Sequence, residues 1–291
     1  GEQFRTRDVL IFIGAVQIAV RLIASFIGSK TTDPAVLVLD EKGQYCIPIL
    51  SGHIGGANEM AERIAEMAGA LPVITTATDI RGKWAIDVFA RKNHLHIEDM
   101  QKAKQISAKI LEGKTVVAAI ESGRDSIEGT VPEEVKIVPE TYENPDIYIG
   151  IYERKLSSHV LRLIPQRITV GIGCRRGTSA ERIEQLVDKI LKESHINKKS
   201  IGRIASIDLK KDEEGLLTFC NKYNIEPEFY PAEELKKGEF SVSTFVKKVT
   251  GVDNVCERSA VYTGGTLRIR KQAENGVTAA FAWDNWRVKF E

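Results

Sequence analysis

The chain has 291 residues, 43% of them hydrophobic, enough to bury two cores and long for one. Its 41 lysines and arginines balance 40 aspartates and glutamates, so no net field draws it to nucleic acid or an anionic membrane, and any anion binding has to be local. Four cysteines, Cys46, Cys174, Cys220 and Cys256, are scattered without a Cys-x-x-Cys pair, which argues against a zinc knuckle or a secreted disulfide framework and fits a reducing cytoplasm.

In chain order, Val9–Ile13 reads as a strand and Val16–Phe26 as a helix. Gln17 and Arg21 interrupt this apolar stretch and leave too short an uncharged run to cross a bilayer. The chain opens on Gly1 rather than Met, and its first apolar run begins within ten residues, so an upstream segment is expected. Strands Ala35–Leu39 and Tyr45–Leu50 flank Asp40-Glu41-Lys42-Gly43, a hairpin turn that makes part of the sheet antiparallel. A helix over Ala57–Ala68 and a strand at Val73–Thr75 follow.

From His94 to Arg162 the pattern weakens to a helix Asp99–Leu111, a strand Thr115–Ile120, a loop-rich stretch with Gly123, Gly129, Pro132, Pro139 and Pro145, and a strand Ile147–Tyr152. After Pro165 the alternation restarts with strand Ile168–Gly173, helix Ser179–Glu193, strand Ile204–Ile207, helix Glu213–Tyr223 and, later, strand Val277–Trp283. The expected fold class is therefore α/β. Two α/β domains with mixed sheets, residues 1–93 and 166–291, are joined by a less regular middle segment, residues 94–165.

Three segments have the residue types for chemistry. In Ser51-Gly52-His53-Ile54-Gly55-Gly56-Ala57-Asn58-Glu59 a strand ends, glycines permit tight turns, and a helix begins, so free amides are expected to form an anion or oxyanion cradle. His53 inside it is suited to general base catalysis near neutral pH. A plain strand-to-helix turn with a structural histidine is the alternative. Thr75-Thr76-Ala77-Thr78-Asp79-Ile80-Arg81-Gly82-Lys83 offers three hydroxyls, an acid and cations that can grip carboxylates, or else is a polar surface loop; Trp84 after Lys83 breaks any P-loop pattern. Asp87, an acid amid apolar residues, either orients a catalytic base or caps a helix.

The third segment is Gly171-Ile172-Gly173-Cys174-Arg175-Arg176-Gly177-Thr178-Ser179-Ala180-Glu181. Thr178 and Glu181 form a capping-box signature, and Arg175 and Arg176 beside the helix end suit a carboxylate or phosphate. The Gly-x-Gly-x-x-x-Gly spacing is one residue off the dinucleotide fingerprint. His94-x-His96 lacks further ligands for a metal, Cys174 lacks a nearby histidine, and neither a Gly-x-Ser-x-Gly elbow nor a His-Glu-x-x-His helix is present. Glu257-Arg258-Ser259, before Thr263-Gly264-Gly265, reads as an internal ion pair.

Taken together, the segments resemble the cobalt-precorrin-5A hydrolase family of anaerobic cobalamin biosynthesis. The motifs are Leu10-Ile11-Phe12-Ile13, Lys30-Thr31-Thr32-Asp33-Pro34-Ala35-Val36, Leu50 to Asn58, Val73 to Asp79, Val170 to Gly177, Ser206-Ile207-Asp208-Leu209-Lys210 and Cys256-Glu257-Arg258-Ser259-Ala260. The resemblance covers nearly the whole chain, although Gly14-Ala15-Val16-Gln17 is less apolar than the family pattern. It implies one more strand and helix upstream, and a reaction in which water opens the δ-lactone of cobalt-precorrin-5A and acetaldehyde leaves, giving cobalt-precorrin-5B.

On that basis His53, Glu59 and Asp87 are the expected catalytic groups, with the Gly55 and Gly56 amides facing the carbonyl oxygen. Substrate contacts are expected from Ser51, Gly52, Gly55, Gly56, Asn58, Thr75, Thr76, Thr78, Lys83, Arg175, Arg176 and Thr178, with the Arg175–Thr178 cradle closing the site. No cofactor or protein-held metal is expected, because the cobalt travels with the substrate. The expected partners are the small-molecule cobalt-corrinoid and at most a second copy of the chain, with neither nucleic acid nor membrane. A noncatalytic corrinoid carrier is the alternative, and a phosphosugar- or nucleotide-binding protein a more distant one.

Overall fold

The computed structural model describes residues 1–29, 32–122, 126–235 and 254–290; Lys30, Thr31 and Gly123 of the segments above lie outside them. Helix α1 (Glu2–Thr6) leads into strand β1 (Val9–Ile13), helix α2 (Val16–Ile23), strands β2 (Ala35–Leu39) and β3 (Tyr45–Leu50), helix α3 (Ala57–Ala68) and strand β4 (Leu71–Pro72). The four strands lie in chain order in one mixed sheet, β1 parallel to β2, β2 antiparallel to β3 and β3 parallel to β4.

The β2–β3 turn forms as the sequence predicts. The Asp40 carboxylate accepts the Tyr45 amide at 2.6 Å and the Lys42 amide at 3.1 Å, and Gly43 takes a left-handed φ of 65°. Helix α3 lies on the sheet through Ala57, Ala61 and Ala65, one per turn, buried with Leu37 and Cys46. The strand expected at Val73–Thr75 lies earlier, at Leu71–Pro72. Val73 makes the last ladder contact, donating to the Cys46 carbonyl, before the chain leaves the sheet to enter helix α4 (Ala77–Ile80).

Helix α5 (Ile86–Lys92) belongs to the next layer, packing Ile86, Phe89 and Ala90 into a second core. That core covers a five-stranded sheet of β5 (Leu95–Ile97), β6 (Val116–Ile120), β8 (Val135–Val138), β9 (Ile147–Ile149) and β10 (Leu161–Pro165), with β7 (Ile127–Glu128) outside it. The order is β5-β10-β9-β6-β8, with β5 antiparallel and the others parallel. Helix α6 (Met100–Leu111) crosses between β5 and β6, its first turn capped by the Asp99 carboxylate on the amides of Gln101 and Lys102 at 2.8 and 3.2 Å.

The third sheet has the order β13-β12-β11-β15-β14. Its elements are β11 (Ile168–Cys174), helix α7 (Ala180–Glu193), β12 (Ile201–Ile207), helix α8 (Glu214–Tyr223), β13 (Glu228–Tyr230), helices α9 (Ala232–Leu235) and α10 (Val255–Val261), β14 (Thr266–Glu274) and β15 (Val277–Trp283). Gly171 lies inside β11, where a Cβ would come within 1.9 Å of the Cys256 carbonyl oxygen. The glycine therefore lets α10 rest on the strand.

Helix α10 holds the Glu257-Arg258-Ser259 cluster, whose described partners lie outside the cluster. The Glu257 carboxylate accepts from the Asn254 amide group and the Lys271 amide, and Arg258 donates to the Leu235 carbonyl. Finally β16 (Val288–Lys289) crosses back and pairs in parallel with β7, burying Val288 and Phe290 in the second core. The Asn93 side chain clamps this return, accepting the Lys289 amide at 2.6 Å and donating to its carbonyl at 3.0 Å. No described helix is long and apolar enough to cross a membrane.

Candidate active site at the junction of the first two sheets

The 51–56 turn, the start of α4 and the start of α5 meet around His53. The turn is shaped by its own backbone: Gly56 donates to the His53 carbonyl at 3.0 Å, Ala57 to Ser51 at 3.1 Å and Asn58 to Gly52 at 3.0 Å. Gly56 adopts φ 79°, and at Gly55 a Cβ would press to 2.5 Å from that of Ser51. The amides of Gly56, Ala57 and Asn58 are thus spent closing the turn. The Gly56 amide in particular is not available to a ligand, whereas the exposed Gly55 amide donates to nothing among the described residues.

What the turn does is hold His53 between two carboxylates. Nδ1 lies 3.0 Å from Asp87 Oδ1 and Nε2 lies 2.9 Å from Asp79 Oδ2, with Thr78 Oγ1 3.3 Å from Nε2. The imidazole is 12% exposed, Asp87 16% and Asp79 35%. A neutral imidazole has one N–H and one lone pair, and a lone pair against an ionised carboxylate at this range is repulsive; a ring protonated at both nitrogens satisfies both contacts. The Asp87 hydrogen bond, helped by its charge and by Asp79, lifts the pKa of His53 to about 8 against the opposing effect of burial.

The same carboxylate oxygen of Asp79 accepts from the buried Asn58 amide group at 2.7 Å, and Asn58 also reaches Thr76 Oγ1 at 3.0 Å. Asp79 Oδ1 accepts from nothing among the described residues. Asp87 Oδ1 further takes the Val88 amide at 3.1 Å, but Asp87 is not the helix cap: it lies within the first turn of α5, whose N-cap is Ala85, and its carboxylate is turned to the histidine.

Other expected residues have different partners. Ser51 Oγ donates to the Asp33 carbonyl at 3.0 Å. Glu59 turns to Arg91, 2.6 Å away, which holds its carboxyl below the usual range. Lys83 pairs with Glu134 at 2.9 Å. Among the described residues the Thr75 side chain makes no hydrogen bond.

The second glycine-rich turn is self-contained. Gly177 donates its amide to Glu213 Oε1 at 2.6 Å, and Glu213 also meets Lys210 at 3.3 Å, so the chain's own carboxylate occupies the place expected for an anionic ligand. Thr178 is not the helix cap: α7 begins one residue later, behind Ser179, and Thr178 Oγ1 turns back to the Arg175 carbonyl at 2.7 Å. Arg175 and Arg176 are exposed, and among the described residues no hydrogen bond or ion pair joins them or Thr178 to the His53 cluster. Burial pushes the Cys174 thiol up to about 11, so it is no ready nucleophile.

Two residues not singled out from the sequence complete the site. Asp79 sits in a segment noted for its hydroxyls, and no spacing rule ties a carboxylate to a histidine so far away. Arg91 lies over Gly56, 3.5 Å from where a Cβ would stand, and its buried Nε has no acceptor among the described residues. It is four residues after Asp87, on the same helix face, a signal that was legible.

Comparison with known proteins covers each of the three larger sheets in turn. Residues 1–79 match the family model "Cobalamin synthesis G N-terminal", 84–165 "Cobalamin biosynthesis central region" and 168–282 "Cobalamin synthesis G C-terminus". The chain is 35% identical to the cobalt-precorrin-5A hydrolase of Priestia megaterium, over 97% of its own length and 79% of that protein's. The chain belongs to this family. It is also 35% identical to the enzyme of the same name from Salmonella typhimurium, over 95% and 82% of the two chains. A crystal structure of a cobalamin biosynthesis protein G homolog from Sulfolobus solfataricus aligns over 96% of this chain and 83% of that one, with 26% identity and a TM-score of 0.39.

Within the family assignment the His53 cluster stands at a boundary. Its histidine lies in the part matching the N-terminal model, and Asp87 lies just inside the part matching the central one.

Proposed function

We propose that the chain hydrolyses the δ-lactone of cobalt-precorrin-5A and releases the two-carbon fragment as acetaldehyde, leaving cobalt-precorrin-5B. The observation that carries this reading is the imidazole held between Asp79 and Asp87 on a turn whose Gly55 amide is exposed and open, in a chain 35% identical to enzymes of that name. Hydrolysis of a lactone needs water, a group to take its proton, and a donor for the carbonyl oxygen. The cluster supplies the proton-transfer groups, and the Gly55 amide supplies the donor.

On this reading the cobalt arrives with the substrate and the chemistry calls for no cofactor of the protein's own. The enzyme works in the cytoplasm on a polycarboxylate, for which Arg175 and Arg176 are exposed cations. Purified chain incubated with cobalt-precorrin-5A is expected to release acetaldehyde, and His53→Ala to cut turnover by roughly a hundredfold or more. Tight corrinoid binding without aldehyde release would favour a carrier instead.

A further inference from the structure

Both nitrogens of His53 are directed at carboxylate oxygens, so in the observed geometry the ring has no lone pair with which to receive a proton from water. The basic lone pairs of the cluster are on the carboxylates. Of the two, Asp87 is the more buried, and one of its oxygens serves both His53 and the Val88 amide. Asp79 is the more exposed; its Oδ2 is held by His53 and Asn58, and its Oδ1 accepts from nothing among the described residues.

We infer that Asp79, and not His53, is the general base of the reaction, with His53 acting as the bound imidazolium that orients it. The inference rests on the lactone-hydrolysis reading above. In the attacking step an O–H bond of water breaks and its proton passes to Asp79 Oδ1, the water oxygen bonds to the lactone carbonyl carbon, and the carbonyl π pair moves onto oxygen beside the Gly55 amide. When that intermediate collapses, the ring C–O bond breaks with its electron pair on the departing oxygen, which takes the proton back from Asp79. Lactone and water thereby become acid and alcohol, with Asp79 and His53 returned to their starting states. Asp87 is a positioning residue that holds the imidazolium from its other side, and Asn58 keeps the Asp79 carboxylate from rotating its free oxygen away.

The test is steady-state acetaldehyde release from cobalt-precorrin-5A by the full chain, with a thermal melt of each variant to establish folding. Asp79→Asn keeps the side-chain shape and is expected to lower kcat by roughly a hundredfold or more while moving KM by less than about threefold. Asp79→Ala is expected to be as slow and to recover at least tenfold on addition of formate, a free carboxylate that a merely structural defect would not use. A folded Asp79→Asn retaining more than about a third of wild-type kcat, or a folded Asp79→Ala that formate does not rescue, overturns the role of Asp79 while leaving lactone hydrolysis standing. Wild-type chain that releases no aldehyde overturns the functional reading itself, and the role of Asp79 with it.

Discussion

The two glycine-rich turns look alike in sequence: each ends a strand, carries several glycines and opens a helix. They differ in what fills them. The 51–56 turn is closed by the Gly56, Ala57 and Asn58 amides on its own carbonyls, leaves the Gly55 amide open, and presents His53 to Asp79 and Asp87 arriving from two other segments. The 173–178 turn gives its Gly177 amide to Glu213 from a neighbouring segment. A glycine-rich turn is therefore a ligand site only where the fold has left something unsatisfied, and that is decided by segments remote in sequence.

The largest expected effect that would break this contrast is on turnover. Glu213→Gln is expected to change acetaldehyde release by less than about threefold, against the hundredfold or greater loss for His53→Ala. Comparable losses for both would place the second turn in the chemistry. A stability comparison sharpens it next. Gly55→Ala drives a Cβ against Ser51 and is expected to cost roughly 3 kcal/mol in urea unfolding. Gly177→Ala meets only the strain of its left-handed φ of 75°, with nothing within 4 Å of the new methyl, and should cost about 1 kcal/mol. Equal costs would mean that the first turn is as loosely packed as the second.

The smallest effect is electrostatic. Because the folded chain holds His53 at about 8, above its ordinary 6.5, the proton is bound more tightly when folded. The resulting stabilisation, roughly 2 kcal/mol, is fully present below pH 6.5 and lost as the pH rises through 8. Unfolding free energies measured at about pH 6 and about pH 9 should differ by this much in wild type and by markedly less in His53→Gln. An undiminished difference in the variant would assign the titration to another group.

Much of the α/β alternation was legible because burial sets it locally. Strands Val9–Ile13, Ala35–Leu39, Tyr45–Leu50 and Val277–Trp283, and helix Ala57–Ala68, lie where apolar periodicity predicts them. Strands Leu95–Ile97, Val135–Val138 and Leu161–Pro165 were not placed. They are three to five residues long, and the pairing of Leu95–Ile97 with Leu161–Pro165 joins segments dozens of residues apart, which no window of periodicity contains. Helix α10 was hidden for another reason: nearly all its residues are buried, polar ones included, so it shows no amphipathic stripe.

At the site, His53 and Asp87 could be proposed because each stands out chemically against its neighbours. Asp79 could not be chosen over the other polar groups of its segment, since what distinguishes it is a 2.9 Å approach across 26 residues of sequence. Glu59 and Lys83 were equally plausible as residue types; in the fold each is paired, with Arg91 and Glu134 respectively.

The return of β16 to β7 also constrains the order of events during synthesis. Phe290 stacks on Phe89 at 4.8 Å and Trp84 abuts it at 6.2 Å, so the layer that carries Asp87 receives its last core side chains from residues made some two hundred positions later. A nascent chain can close its first sheet early, but the helix that positions Asp87 is fully backed only when residues 288–290 have left the ribosome and docked.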